Sequence, residues 1–141
     1  MKIVLVTGGF DPIHSGHIDY FNSARQLGDK LVVGLNSDKW LSRKKGQPFM
    51  TWQDRFQIIK HLKMVDFVIS FNDDDNSAKL AIKLVQQTFP NDSIIFANGG
   101  DRTQENVPEL DVASVDFVFN VGAKKTTSSS TLLESWTSAH H

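Results

Sequence analysis

The chain contains no cysteine, which removes disulfides, thiol nucleophiles and thiolate metal sites from consideration. It has no excess of either charge. Fifteen Lys and Arg face sixteen Asp and Glu, for a formal net charge of −1. A binder that neutralises a phosphate backbone needs a basic balance, so nucleic acid is not an expected partner. Long apolar runs are also missing. The first, Ile3-Val4-Leu5-Val6, is too short for a membrane span or for the apolar region of a signal peptide. The expectation is a cytoplasmic chain with no membrane partner. What remains is ordinary for a globular protein, with 40% hydrophobic and 22% charged residues over 141 positions, enough for one core. Residues 1–137 read as a single domain. The tail 138–141, ending in His140-His141, reads as tag-derived, and its histidines are set aside.

Four of the nine glycines fall in two pairs, each just after an apolar run. The first pair lies in Thr7-Gly8-Gly9-Phe10-Asp11-Pro12-Ile13-His14-Ser15-Gly16-His17. An apolar strand precedes it and an amphipathic run, Ile18 to Leu27, follows, so the order is strand, tight turn, helix. Such a turn lies at the carboxyl end of a strand, where α/β sheets place ligands. Glycines allow backbone N–H groups close to a phosphate, and the positive end of a helix dipole points at the same place. His14 and His17, three apart, share one side of the first helical turn. Two imidazoles beside an anion site suit hydrogen bonding to phosphate oxygens. Zinc is set aside, because a tetrahedral site wants three or four protein ligands.

The remaining pattern is β-α repetition. Strands are expected over Lys2 to Thr7, Lys30 to Asn36, Val65 to Phe71, Ser93 to Ala97 and Val115 to Val121. Helices are expected over Ser15 to Leu27, Trp52 to Lys63, Ser77 to Phe89 and from Leu132 onward. The helix over Ser77 to Phe89 should carry Leu80, Ile82, Leu84 and Val85, capped by Asp75 or Asn76. Asn72 to Asn76 reads as a solvated acidic turn. Lys39 to Pro48 reads as a basic loop carrying Lys39, Arg43, Lys44 and Lys45. The fold class is therefore α/β, a single Rossmann-like domain with a five-stranded parallel sheet flanked by helices. A Rossmann dehydrogenase is excluded, since no third glycine completes G-x-G-x-x-G, and no Walker lysine follows.

The His14-Ser15-Gly16-His17 turn and its surroundings resemble the HxGH nucleotidyltransferases, in the cytidylyltransferase-like group, and within it the glycerol-3-phosphate cytidylyltransferases and heptose-1-phosphate adenylyltransferases. The likeness runs from Lys2 to about Trp136. It implies that His14 and His17 stabilise the transition state as the α-phosphate of an NTP is attacked and pyrophosphate leaves. It implies that Thr7, Gly8, Gly9, Phe10, Asp11 and Gly16 form part of the nucleotide site. A lysine of the basic loop, taken as Lys44 with Lys45 second, contacts phosphate. Arg55, after the acidic Asp54, reaches phosphate as well. Gly99, Gly100, Asp101 and Arg102 match a Gly-Asp segment of the nucleotide pocket. Lys124 or Lys125, then Ser128, Ser129 and Ser130, match a closing basic-and-hydroxyl motif at a helix N-terminus. There the chain departs from the pattern, with lysine for arginine and serine throughout.

The implied partners are an NTP, CTP or ATP, and a phosphorylated small-molecule acceptor such as a polyol or sugar phosphate. CMP is taken slightly ahead of AMP as the transferred group. Asn36-Ser37-Asp38 and the Gly-Gly-Asp segment lean toward the adenylyl pattern. Mg²⁺ is the expected cofactor, held by substrate oxygens and water, and a homodimer follows the family habit. A non-catalytic nucleotide-binding protein on the same fold is the reading from another class.

Overall fold

The structure, a computed structural model, describes residues 1–99, 109, 114–119, 121–122 and 133. Among the described residues the elements follow in chain order: β1 (Lys2–Gly8), α1 (Ser15–Arg25), β2 (Lys30–Leu35), α2 (Asp38–Lys45), α3 (Trp52–Lys60), β3 (Phe67–Ser70), α4 (Lys79–Thr88), β4 (Ser93–Ala97) and β5 (Val115–Val118). The five strands form one sheet in the order β3-β2-β1-β4-β5, every pair parallel. The α/β expectation holds.

β1 lies at the centre because its run Ile3 to Val6 has no solvent exposure on either face. Val4 and Val6 face α1 and α3, packing with Phe21, Ala24 and Ile59. Ile3 and Leu5 face α4, packing with Ala81, Ile82 and Val85. The chain winds outward through β2 and β3, then crosses back over β1 to β4. The strand order therefore reverses between β1 and β4, and the turn after β1 sits at the crevice this reversal opens. Tyr20 on α1 donates its hydroxyl to the Ala97 carbonyl at the end of β4, holding the crevice walls together.

Several local expectations are corrected. Most of the basic loop is the helix α2. The Ser37 hydroxyl caps it by accepting from the Trp40 N–H at 3.0 Å, Asp38 sits in its first turn, and Arg43, Lys44 and Lys45 crowd its last. Gly46 ends it at φ 92, a conformation that glycine adopts without strain. Leu80 and Leu84 are exposed on α4, because Ala81, Ile82 and Val85 form the face that meets the sheet. Neither Asp75 nor Asn76 caps α4. Its cap position is Ala78, and the buried Glu109 carboxylate accepts that residue's N–H at 2.7 Å. β5 ends at Val118, and beyond it the Val121 N–H bonds the Asn98 carbonyl.

The acidic turn is not uniformly solvated either. Asp73 is buried and accepts from the Ser37 N–H (2.8 Å), the Ser37 hydroxyl (2.7 Å) and the Asn36 amide (3.0 Å). Arg43 donates to its carbonyl at 2.7 Å. These bonds tie the segment after β3 to the junction of β2 and α2. Burial alone would raise the pKa of Asp73, but the donors from Ser37 and Asn36 outweigh it and hold the carboxyl below its ordinary value. A depressed folded pKa contributes stability above the unfolded pKa and loses it as pH falls through the folded value. The melting temperature should therefore fall on acidification below about pH 4. In Asp73→Asn that stretch of the pH profile should be flatter, and melting at neutral pH should come several degrees lower. Melting curves between pH 7 and pH 2 check both.

Candidate active site

The turn after β1 shapes the crevice floor. Phe10 takes a left-handed conformation (φ 51) that turns its ring back over Gly8, where a Cβ would lie 2.8 Å from the ring. The ring also meets the edges of His17 and Phe21, at 5.0 Å each. At Gly9 a Cβ would come within 2.8 Å of Leu41 and 3.2 Å of Trp40, so this glycine lets α2 lie against the turn. Both absent side chains serve close packing of protein on protein.

His14 is the cap residue of α1, in extended backbone, and its Nδ1 accepts from the Gly16 N–H at 3.1 Å. The Nδ1 of His17 accepts in turn from the His14 N–H at 3.2 Å. This is a capping box made of two histidines. The rings stack with centroids 3.8 Å apart. With both Nδ1 atoms accepting, a neutral ring carries its proton on Nε2. The box thus fixes the tautomer and orientation of both rings, and the Nε2 of His14 is buried in this arrangement. Gly16 is the residue that permits this, because a Cβ there would lie 2.9 Å from His14 Cε1 and 3.0 Å from its Nδ1.

Asp11 and Arg55 hold the turn from below. The buried Asp11 carboxylate accepts from the N–H groups of Phe49 (2.7 Å) and Met50 (2.6 Å) and pairs with Lys45 Nζ at 3.1 Å. Lys45 also donates to the Asp11 carbonyl. Arg55 has no solvent exposure. It donates to the carbonyls of Gly9 (2.9 Å), Asn36 (2.8 Å) and Met50 (3.1 Å) and to Asp38 Oδ1 (2.7 Å). Both residues carry the turn in this structure. Lys44 is exposed at the end of α2, its ammonium 4.7 Å from the centre of the Trp40 ring. Thr7 and Gly99 lie at the ends of the adjacent strands β1 and β4. The other residues singled out from the sequence, Gly100, Asp101, Arg102, Lys124, Lys125, Ser128, Ser129 and Ser130, lie outside the described residues. Sequence reading missed Asp38 and Asp73 as anchors. No local signal marked them, for their partners lie 17 and 36–37 residues away.

A parallel sheet that reverses its strand order at this crevice, with a helix N-terminus and two imidazoles on the turn, is built to take an anionic ligand at that edge. The comparisons agree. The cytidylyltransferase-like family model matches residues 5–133, and the chain belongs to that family. It is 37% identical over 133 residues to the bifunctional protein HldE of Pelobacter propionicus, covering 89% of this chain and 26% of that protein. It is 40% identical over 108 residues to the HldE of Helicobacter pylori strain J99, covering 75% of this chain and 22% of that one. The chain thus spans about a quarter of these relatives' length. Among solved structures it is similar to a lipopolysaccharide core biosynthesis protein from Thermoplasma volcanium, with 28% identity and a TM-score of 0.67, covering 88% of this chain and 99% of that one. Among the described residues no helix is long and apolar enough to cross a membrane.

Two substitutions separate the turn's chemistry from its support. Gly16→Ala should push the His14 ring aside while leaving α1 helical, lowering turnover at least tenfold with little loss of stability, as kinetics and circular dichroism together will read. Arg55→Met should strand three carbonyls and Asp38, at a cost of about 3–5 kcal/mol measurable by urea unfolding.

Proposed function

We propose that the chain transfers a nucleoside monophosphate from an NTP to a small phosphorylated metabolite, releasing pyrophosphate. The observation that carries this is the two-histidine capping box, which fixes the orientation and tautomer of two imidazoles at the crevice. The acceptor's own phosphate oxygen attacks the α-phosphorus. A bond from that oxygen to phosphorus forms, the bond to the β-phosphate bridging oxygen breaks, and its electron pair leaves with pyrophosphate. No protein nucleophile or strong base is required, so catalysis is positioning and charge stabilisation. Donors on fixed rings need no reorganisation as charge builds on the triphosphate. His14 and His17 act here, with Lys44 as the loop cation and the backbone of Thr7 to Asp11 forming the floor. Arg55 acts as a positioning residue, because its donors hold Gly9, Asn36, Met50 and Asp38.

Mg²⁺ would enter as a companion of the triphosphate and not on a protein ligand set. Among the described residues no group of three His, Asp or Glu could hold a metal, and the Asp11 carboxylate is engaged by Phe49, Met50 and Lys45. Held by phosphate oxygens and water, it would supply neutralisation of the triphosphate charge. Likeness to a lipopolysaccharide core biosynthesis protein supports a sugar phosphate over a simple polyol phosphate as acceptor. The Asn36-Ser37-Asp38 pattern leans toward ATP, and CTP is the alternative donor. A homodimer belongs to the same reading.

Purified protein with Mg²⁺ should release pyrophosphate from one NTP when given a sugar phosphate, and the preferred NTP should raise the melting temperature by several degrees at 100 times its Kd. His14→Ala and His17→Ala should each lower kcat by about 10²–10³. No pyrophosphate across four NTPs and a panel of sugar and polyol phosphates would overturn the reading.

A further inference from the structure

Phe10 is held in a backbone conformation that its residue type disfavours. Its φ of 51 lies in the left-handed region, which a bulky side chain rarely enters. Strain of this kind persists only where the surroundings over-determine it, and it gathers at functional sites. Here both neighbours are clamped. Arg55 binds the Gly9 carbonyl at 2.9 Å, and the Asp11 carboxylate is fixed by the N–H groups of Phe49 and Met50 and by Lys45. A residue between two such anchors has little freedom to relax.

The strained backbone places one ring. Phe10 is only 7% exposed, so its side chain belongs to the core and not to the ligand-facing surface. The ring enters the space between His17 and Phe21, which lie one turn apart on α1. Its centroid is 5.0 Å from each of theirs, at 85° to His17 and 74° to Phe21, the perpendicular geometry that aromatic pairs favour. Gly8 leaves the room, since a Cβ there would lie 2.8 Å from the tip of the ring. His17 is thereby held by two other rings. His14 stacks on it at 3.8 Å and 25°, and Phe10 meets it crosswise. The hydrogen bond from the His14 N–H to His17 Nδ1 is 3.2 Å long, at the weak end of the range, and is a poor restraint without those walls.

We infer that Phe10 is a positioning residue for His17, its strained backbone and buried ring setting the plane and the tautomer of that imidazole. The side chain serves the imidazole and not the nucleotide, whose contact with this residue is left to the backbone. The inference rests on the nucleotidyl-transfer reading for what His17 does in turnover, and on the ring geometry alone for what holds it. The same geometry gives the spacing of positions 10, 14, 17 and 21 one meaning: three rings packed around His17, each fixing it in a different direction.

The test reads the imidazole directly. In protein labelled with ¹⁵N-histidine, long-range proton–nitrogen correlation spectra at about pH 9, above the ordinary imidazole range, separate a ring protonated only on Nε2 from one that exchanges between tautomers. The His17 pattern, assigned by its loss in His17→Ala, should show the Nε2–H tautomer alone. In Phe10→Leu, which keeps an apolar side chain at the site, it should move toward the averaged pattern of a free imidazole. Gly8→Ala, which leaves Phe10 in the chain but presses on its ring, should do the same, and it decides the matter if Phe10→Leu does not fold. In the turnover assay Phe10→Leu should lower kcat about tenfold and leave the NTP KM within about twofold. An averaged pattern in the unaltered protein overturns the inference, as does an unchanged His17 pattern in the variants. A raised NTP KM with unchanged kcat also overturns it, because that assigns the Phe10 side chain to the ligand. A His17 pattern that moves as expected, in a protein that releases no pyrophosphate from any NTP, would sustain the positioning role and count against the transfer reaction alone.

Discussion

A guanidinium with no access to solvent supports the active edge of this protein. Arg55 reaches from α3 into the space under the first turn and binds four separate pieces of chain: Gly9 after β1, Asn36 after β2, Asp38 in α2, and Met50 in the segment before α3. Only a planar, multi-donor cation can do this, and a lysine's point charge could not serve four acceptors in fixed directions. Removing such a charge from water is expensive, and three carbonyl dipoles with one carboxylate offset that cost. The consequence is geometric. The backbone of the catalytic turn is held relative to β2 and α2 by one side chain, so the imidazoles start from a rigid base.

Two buried carboxylates extend the same logic to α2. Asp11 fastens the turn to Lys45 and to the N–H groups of Phe49 and Met50. Asp73 fastens the start of α2, through Ser37 and Asn36, and its backbone carbonyl takes Arg43 from the helix's later turn. A short helix with a single buried residue, Leu41, gains little from apolar burial. Polar anchors at both ends do that work here. They also sort the cations of the basic run. Arg43 bonds the Asp73 carbonyl and Lys45 pairs with Asp11, and the Lys44 ammonium lies over the Trp40 ring.

The histidines show how a catalytic motif and a structural motif become one object. Each Nδ1 accepts a backbone N–H at the start of α1, which puts the proton of each neutral ring on Nε2. The glycine between them keeps the first ring folded over its own helix terminus. The four-residue string is thus a helix cap as well as a pair of donors, and its spacing answers to both roles.

The alternation of strands and helices, the parallel sheet and the glycine-histidine turn at its ligand edge were legible in the amino-acid sequence, whereas the order of strands across the sheet was not. Buried parallel strands are continuous apolar runs, and a strand-glycine-helix junction has only one place to go in such a sheet. The helix α2 was written in its caps, Ser37 before and Gly46 after, yet its apolar signal was one leucine and the cationic run read as loop. On α4 the apolar residues at 80, 82, 84 and 85 cover more than one face, and only contact with the sheet chose 81, 82 and 85. The acidic turn hid Asp73 among exposed neighbours. What the sequence determined by itself came from local periodicity and turn chemistry, which act between residues a few positions apart. What tertiary structure alone decided was the destination of each charge. Arg55, Asp11, Asp38 and Asp73 find partners 17 to 46 residues away, and no local pattern encodes a bond whose two ends meet only after the sheet has formed.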